Sequence, residues 1–268
     1  MEQQQVDKLA SWFDSYAAGF YGDDGFANAS IRLKDDHSRR VRDEMLYLAD
    51  ALRLGENQGR MAQVIGLLHD VGRFEQFEKY RTYSDLKSVN HSLLGVEILH
   101  RTGVLGGFHE TERRLIERAI ECHGLKELPA DLADETLLFA RMIRDADKLD
   151  VFRVFIEYHK LYTEDPGQFM LEIEFADEPT CSPEVVEAIL NEQLVGYGRL
   201  RTLNDMKLML IGWVYDINFT ATLKRIRERR HLETLFGLLP QTEQVGIVRD
   251  RIFAYVDSRL SRQNSGSY

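Results

Sequence analysis

The sequence predicts an all-α protein. Helical periodicity dominates, strand-like alternation of apolar and polar residues is scarce, and five prolines are spread through 268 residues. Hydrophobic residues make up 44% of the chain, ample for the interior of a helical bundle of this length. The expected organisation is a single all-α domain over 1–268, with a core at about 30–160 and additional C-terminal helices over about 161–268.

Leu9, Trp12, Phe13 and Tyr16 recur at helical spacing, so residues 6–20 read as an amphipathic opening helix whose aromatic stripe packs into a core. Residues 21–25 form a turn. Its Asp23-Asp24 pair lacks the twelve-residue calcium-loop pattern, which leaves a solvated turn. Lys34-Asp35-Asp36 reads as a second turn, with Asp35 or Asp36 as the N-cap of the helix that carries His37. On that helix His37 shares a stripe with Val41, Met45, Leu48 and Leu52, so it faces a core. Residues 54–59 connect to an apolar run, Ala62 to Leu68, that ends in His69-Asp70, and Gly72 permits a sharp change of direction there.

Glu75 to Asn90 is polar, aromatic-rich and poorly periodic. It reads as a loop that could act as a lid or recognition element. His91 opens the next helix, with Leu94, Gly95 and Ile98 on its face, and the helix from about 109 to 123 brings His123 into line with Ile116, Ala119 and Ile120. Pro129 breaks the chain before a long helix from about Asp134 to Leu161, on which Ala140, Ile143, Asp147, Val151 and Val154 form one stripe. Further on, Ser182 caps a helix with Pro183 at its first position, and Asn204 to Ile226 is apolar enough for a central packing helix whose Trp213, Tyr215 and Phe219 belong to the core. The arginine-rich residues 224–231 are a solvated helix end, and Gln263 to Tyr268 is a frayed tail.

His69-Asp70 is the stretch around which the rest is organised. Adjacent side chains on a helix point about 100° apart, so both serve the interior only if they converge on something at the helix end. A metal ion is the simplest such object, since imidazole and carboxylate suit first-row divalent ions and are completed from other segments. A buried histidine bonded to a helix carbonyl is the plainer alternative for this dipeptide alone. It weakens once His37, His91, His123 and Asp147 each fall on a face that periodicity buries. A buried carboxylate without a partner costs several kcal/mol, so Asp147 needs a cation. Around that helix Asp147 ranks first, Asp150 about 60° away ranks second, and Asp145, about 200° round, should face solvent or a neighbouring arginine.

The set His37, His69-Asp70 and Asp147, closed by Ala146-Asp147-Lys148-Leu149-Asp150, resembles the HD superfamily of metal-dependent phosphohydrolases over roughly residues 30–160. His91 and His123 resemble the extra ligands of its six-ligand, two-metal branch, which includes cyclic-dinucleotide phosphodiesterases and a small set of di-iron oxygenases. Residues 69–77 with Ser88 to His91 also look like a group of stand-alone bacterial HD proteins. The resemblance implies one or two divalent transition-metal ions, drawn from manganese, iron, nickel, cobalt or zinc, with magnesium also allowed. His37, His69, Asp70, His91, His123 and Asp147 would be the ligands and Asp70 the bridge, holding two ions about 3.5–4 Å apart. Asp70, Arg73 and Lys148 would be the catalytic residues, the two cations serving as phosphate contacts. The implied reaction is hydrolysis of a phosphate mono- or diester of a small molecule, above all a nucleotide, by metal-activated hydroxide. The alternatives are a di-iron oxygenase and a non-catalytic helical module with a structural metal. Arg81, Lys87 and Lys126 are weaker candidates for anion contact.

A net charge of -10 argues against bulk nucleic-acid binding, because phosphate-tracking surfaces are basic. No apolar stretch approaches the roughly 20 residues of a membrane span. The first residues lack a signal-peptide pattern, so the expected location is cytoplasmic. Cys122 and Cys181 read as free thiols, Cys122 as a packed one. The expected partner is a small phosphorylated substrate, and a homodimer is compatible with the sequence.

Overall fold

Val6, Leu9, Phe13 and Ala17 fall at helical spacing and are all buried, forming the inner face of α1 (Gln3–Ala18). The computed structural model describes residues 1–164, 175–176 and 178–264, and the chain divides into two compact units, Met1–Asp150 and Val151–Tyr268. Among the described residues the structure is helical, with one isolated β-bridge between Ala176 and Thr202, so the all-α expectation holds.

In the first unit α2 (Gly25–Ala51) packs along α3 (Glu56–Leu68), which also meets α1. The chain then forms α4 (Gly72–Tyr80), a short 3-10 turn (Asp85–Lys87), α5 (His91–Thr102), α6 (Glu110–His123) and the first part of α7 (Asp134–Glu164). α3 is enclosed: Met61, Ala62 and every residue from Val64 to Leu68 are buried, and α1, α2 and α6 all pack against it. Close approach is built in at Gly66, where an added Cβ would lie 2.7 Å from the Arg42 Cα on α2. α4 is pinned by Phe74, against which the Phe13 ring of α1 stands edge-on with centroids 5.8 Å apart. Such a pair adds about 0.5–1.5 kcal/mol to the burial of the rings themselves.

Several predicted boundaries move. No turn interrupts 34–36: α2 is continuous, and its N-cap is Asp24, whose carboxylate accepts from the Phe26 and Ala27 amides at 3.0 and 3.2 Å. Asp35 is accommodated mid-helix because Arg39, one turn on, pairs with it at 2.8 Å. The predicted loop from Glu75 is helical as far as Tyr80, since Phe74 and Phe77 bury one face. It ends at Arg81, in the left-handed region at φ 55. Gly72 makes no left-handed turn. Backbone geometry stays right-handed at His69 and Val71, and the glycine is needed because a Cβ would stand 2.1 Å from the His91 carbonyl oxygen and 2.7 Å from the Gly95 nitrogen.

For Asp145, expected to face solvent or a neighbouring arginine, solvent is ruled out: it is fully buried. On α7 the buried residues Ala140, Ile143, Arg144, Asp145, Lys148 and Leu149 point in nearly every direction round the helix, so the stretch from Met142 to Asp150 has no exposed face for an angular argument to find.

The second unit holds the rest of α7 with α8 (Pro183–Leu190), α9 (Leu203–Gly212), a 3-10 turn (Trp213–Asp216), α10 (Thr220–Glu228), α11 (His231–Gly237) and α12 (Glu243–Asn264). α8 packs on α9 and α12, and α10 on α11 and α12. The predicted single helix from Asn204 to Ile226 is therefore split. Ile217 and Phe219 are extended, and the Asn218 amide donates to the Asp216 carbonyl oxygen at 3.4 Å. Asp205 organises the start of α9, accepting from the Ser182 amide and hydroxyl at 2.7 Å each and from the Arg201 and Thr202 amides at 3.0 and 3.1 Å. α12 includes Gln263 and Asn264; the remainder of the predicted tail lies outside the described residues. No helix among the described residues is long and apolar enough to cross a membrane.

Candidate metal centre

Four helices and the end of a fifth deliver the site. His37 lies midway along α2, His69 and Asp70 follow the last residue of α3, His91 opens α5, His123 closes α6, and Asp147 lies on α7. The packing of α2 and α6 against α3 brings these ends to one place in the interior of the first unit.

Two adjoining clusters result. In the first, His37 Nε2 lies 3.2 Å from His69 Nε2 and 3.5 Å from Asp70 Oδ2, while His69 Nε2 is 3.7 Å from the same oxygen. Asp147 Oδ1 joins them, 3.2 Å from His37 Nε2 and 3.9 Å from His69 Nε2. In the second, Asp70 Oδ1 lies 3.4 Å from His91 Nε2 and 3.6 Å from His123 Nε2, and the two ring nitrogens are 3.0 Å apart. Asp70 thus turns one oxygen to each cluster. All the predicted metal ligands are brought together; five are buried, and the Asp147 side chain is 29% exposed.

The outward nitrogens explain why the rings face this way. His69 Nδ1 stands 2.9 Å from the Gly66 carbonyl oxygen and His123 Nδ1 2.6 Å from that of Ile120, while His37 Nδ1 lies 2.7 Å from Asp150 Oδ2 and His91 Nδ1 2.7 Å from Asp85 Oδ2. Each of these partners is an acceptor, so each Nδ1 carries the proton and donates it. The Nε2 lone pairs are then left facing one another. Lone pairs at such separations repel, and a cation shared between them removes the conflict, so the donor set fits divalent metal ions at both clusters.

The electrostatics favour ionised acids and, at His69 and His91, neutral rings. Burial lowers His69 to about 3 and, together with the charge of Arg73, lowers His91 to about 4. Burial and Lys34 also push His37 down, but its bonds to Asp147 and Asp150 outweigh them and raise it. Burial alone would raise Asp70, yet Lys34, His69, His123 and Arg73 hold it well below the usual carboxylate range. Asp147 is likewise lowered against its burial, chiefly by His37.

The remaining candidates have defined places. Asp150, second choice as the final ligand, instead holds the outer face of His37 and is itself held by Arg40, whose Nε and Nη2 donate at 2.5 and 2.9 Å. Arg73 Nε lies 3.5 Å from Asp70 Oδ1, while its Nη1 donates to Gln76 Oε1, the Tyr83 carbonyl oxygen and Asp85 Oδ1 at 2.9, 2.5 and 2.8 Å. Lys148 is buried and its ammonium donates to the Arg144 carbonyl oxygen at 3.4 Å. Arg81 pairs with Asp24 at 3.1 Å, and Lys87 and Lys126 are exposed. Cys122 is a buried free thiol and Cys181 a half-buried one.

Two residues were missed. Lys34 Nζ lies 2.8 Å from Asp70 Oδ2, and Asp85 backs His91. Lys34 precedes His37 by three positions, hence shares its face once the helix is known to be unbroken. Asp85 carries no periodic signal.

An all-helical chain whose buried imidazoles and carboxylates meet in two clusters is, by its chemistry, built for divalent metal binding. The family model described as HD domain matches residues 35–151, and the two His/Asp clusters are compatible with the metal-binding site of such a domain. No curated protein and no solved structure matches the chain.

Proposed function

We propose that this protein hydrolyses a phosphate mono- or diester of a small molecule, above all a nucleotide, at two divalent transition-metal ions. His37, His69 and Asp147 would hold one ion, His91 and His123 the other, with Asp70 shared between them. When bound, the ions activate water at neutral pH and offset charge on the phosphoryl oxygens. The chain does the rest: Asp150 and Asp85 hold the outward protons of His37 and His91, and the Gly66 and Ile120 carbonyl oxygens those of His69 and His123.

The observation that carries this reading is the pairing of a shared carboxylate with an adjacent cation. Lys34 stands against Asp70 Oδ2, the oxygen turned to His37 and His69. With the site loaded, Lys34 would turn from Asp70 to an anionic substrate, for which its ammonium is suited. Arg73 and Lys148 are assigned the remaining phosphoryl oxygens. The acidic balance of the chain favours a small phosphoester over a polymer.

The test is elemental analysis of the purified protein coupled to a screen of phosphate mono- and diesters with manganese, nickel, cobalt, zinc, iron or magnesium added. Metal-dependent release of phosphate or a nucleoside monophosphate is expected. Bound iron with oxygen uptake and no ester cleavage would overturn the hydrolase in favour of an oxygenase, and bound metal with neither activity would leave a structural module.

A further inference from the structure

The two imidazole pairs are supported from behind by the same mixed arrangement. In each pair one ring donates to a main-chain carbonyl three residues earlier on its own helix, His69 to Gly66 and His123 to Ile120. The other ring donates to a carboxylate that an arginine holds in turn: His37 to Asp150 with Arg40, and His91 to Asp85 with Arg73. The helix fixes the first kind of ring. The second kind is oriented only by a side chain from elsewhere in the chain.

The two supporting carboxylates stand in different surroundings. Asp150 is 2% exposed on α7, whereas the Asp85 side chain is 33% exposed on the short 3-10 turn of the strap that joins α4 to α5. Gln76 ties that strap down, donating to Asp85 Oδ1, Ser88 Oγ and the Val89 carbonyl oxygen at 3.0, 2.9 and 3.0 Å. The donor sets differ as well. Asp147 supplements the His37–His69 cluster, while the Nε2 atoms of His91 and His123 have only Asp70 as a carboxylate neighbour among the contacts described above.

We propose that Asp150 and Asp85 are paired positioning residues, each governing one metal site, and that the His91–His123 site, backed by the strap, is the weaker and more exchangeable of the two. This rests on the two-metal reading above. A carboxylate behind an imidazole fixes the ring and raises its basicity, and loss of such a partner costs roughly 10–100-fold in metal affinity. Local opening of a short exposed turn requires less free energy than opening an enclosed helix, so Asp85 lets go of His91 more readily than Asp150 lets go of His37.

The experiment is equilibrium binding of Mn²⁺ alone to the metal-stripped full chain, followed by calorimetry, elemental analysis and electron paramagnetic resonance. Wild type should take up two ions in unequal steps and end with the exchange-coupled signal of a bridged pair. Asp85→Ala should weaken the second step roughly 10–100-fold and leave the multi-line signal of isolated ions, with the first step unchanged. Asp85→Asn should lose less, because its amide oxygen still accepts the His91 proton. Asp150→Ala should weaken the first step. Circular dichroism reports folding, and Asp85→Asn, an isosteric change in a partly exposed turn, keeps the test open if the alanine variants unfold. Two ions bound by wild type, with both Asp85 variants unchanged or with both steps falling together, overturns the assignment alone. Wild type that binds fewer than two ions overturns the two-metal reading and this proposal with it.

Discussion

Lys34 Nζ lies 2.8 Å from Asp70 Oδ2, so the one carboxylate that faces both histidine pairs is also touched by a lysine ammonium. The lysine balances the charge of the buried acid before any metal ion arrives. Its side chain is 17% exposed, which gives it a path toward solvent.

Replacing Lys34 by methionine should keep the aliphatic stem and remove the charge. A charge-assisted hydrogen bond to substrate contributes about 1.5–3 kcal/mol, so kcat/KM for a phosphoester should fall about 10–100-fold while metal content is retained. Steady-state kinetics with elemental analysis checks this. Unchanged kcat/KM would remove Lys34 from substrate binding.

Asp147 and Asp145 should separate cleanly. Asp147→Ala takes a carboxylate from beside His37 and His69 and should lower metal content and activity together. Asp145→Ala should retain metal and lose stability, because it truncates a fully buried polar group, at a cost of about 1–3 kcal/mol. Metal analysis and urea unfolding of the two variants decide it; metal loss in Asp145→Ala would exchange their roles.

Gly72→Ala should be severe for a single methyl group. The new Cβ would meet the His91 carbonyl oxygen and the Gly95 nitrogen, both main-chain atoms that cannot rotate away. α4 and α5 must part, at about 1–3 kcal/mol or more, and His91 moves with its helix. A lowered thermal midpoint together with weakened metal binding is expected. A variant with wild-type stability would show that the two helix ends yield without cost.

Asp205 provides an acid limb within the second unit. Burial works against its ionisation, but four donors from Ser182, Arg201 and Thr202 hold it below its ordinary value of 3.8. Its contribution is therefore present above pH about 4 and is lost as the pH falls through the lowered folded value. Asp205→Asn should be less stable by about 1–3 kcal/mol at pH 7, and the gap to wild type should close on acidification. Unfolding free energies measured from pH 7 to 3 test the sign; a gap that widens toward acid would contradict it.

The helices and the inward histidines were legible because both rest on periodicity. His37 falls in line with Val41, Met45 and Leu48, and His123 with Ile116, Ala119 and Ile120, and burial follows the stripe in each case. Asp24 and Asp35 are equally good capping residues in isolation; the choice is made by the pairing of Asp35 with Arg39, which helix formation itself creates. Asp145 escaped because an angular argument presumes one wet face, and this part of α7 has none. Asp85 and Lys34 acquire their roles only through tertiary contact, so no local pattern marks them. Arg73 was singled out for its closeness to Asp70, but its ties to Gln76, Tyr83 and Asp85 depend on how the strap folds back.

The aromatic packing around Phe74 bears on where this protein can be cut. Phe13, Tyr16 and Phe20, all upstream of the HD match, place their rings 5.6–5.9 Å from that of Phe74. A fragment trimmed to residues 35–151 would begin partway along α2, one position past Lys34, and would strip the cover from a phenylalanine adjoining Arg73. The boundaries of the family match are therefore not those of an excisable module, and α1 belongs with the helices that carry the candidate metal centre.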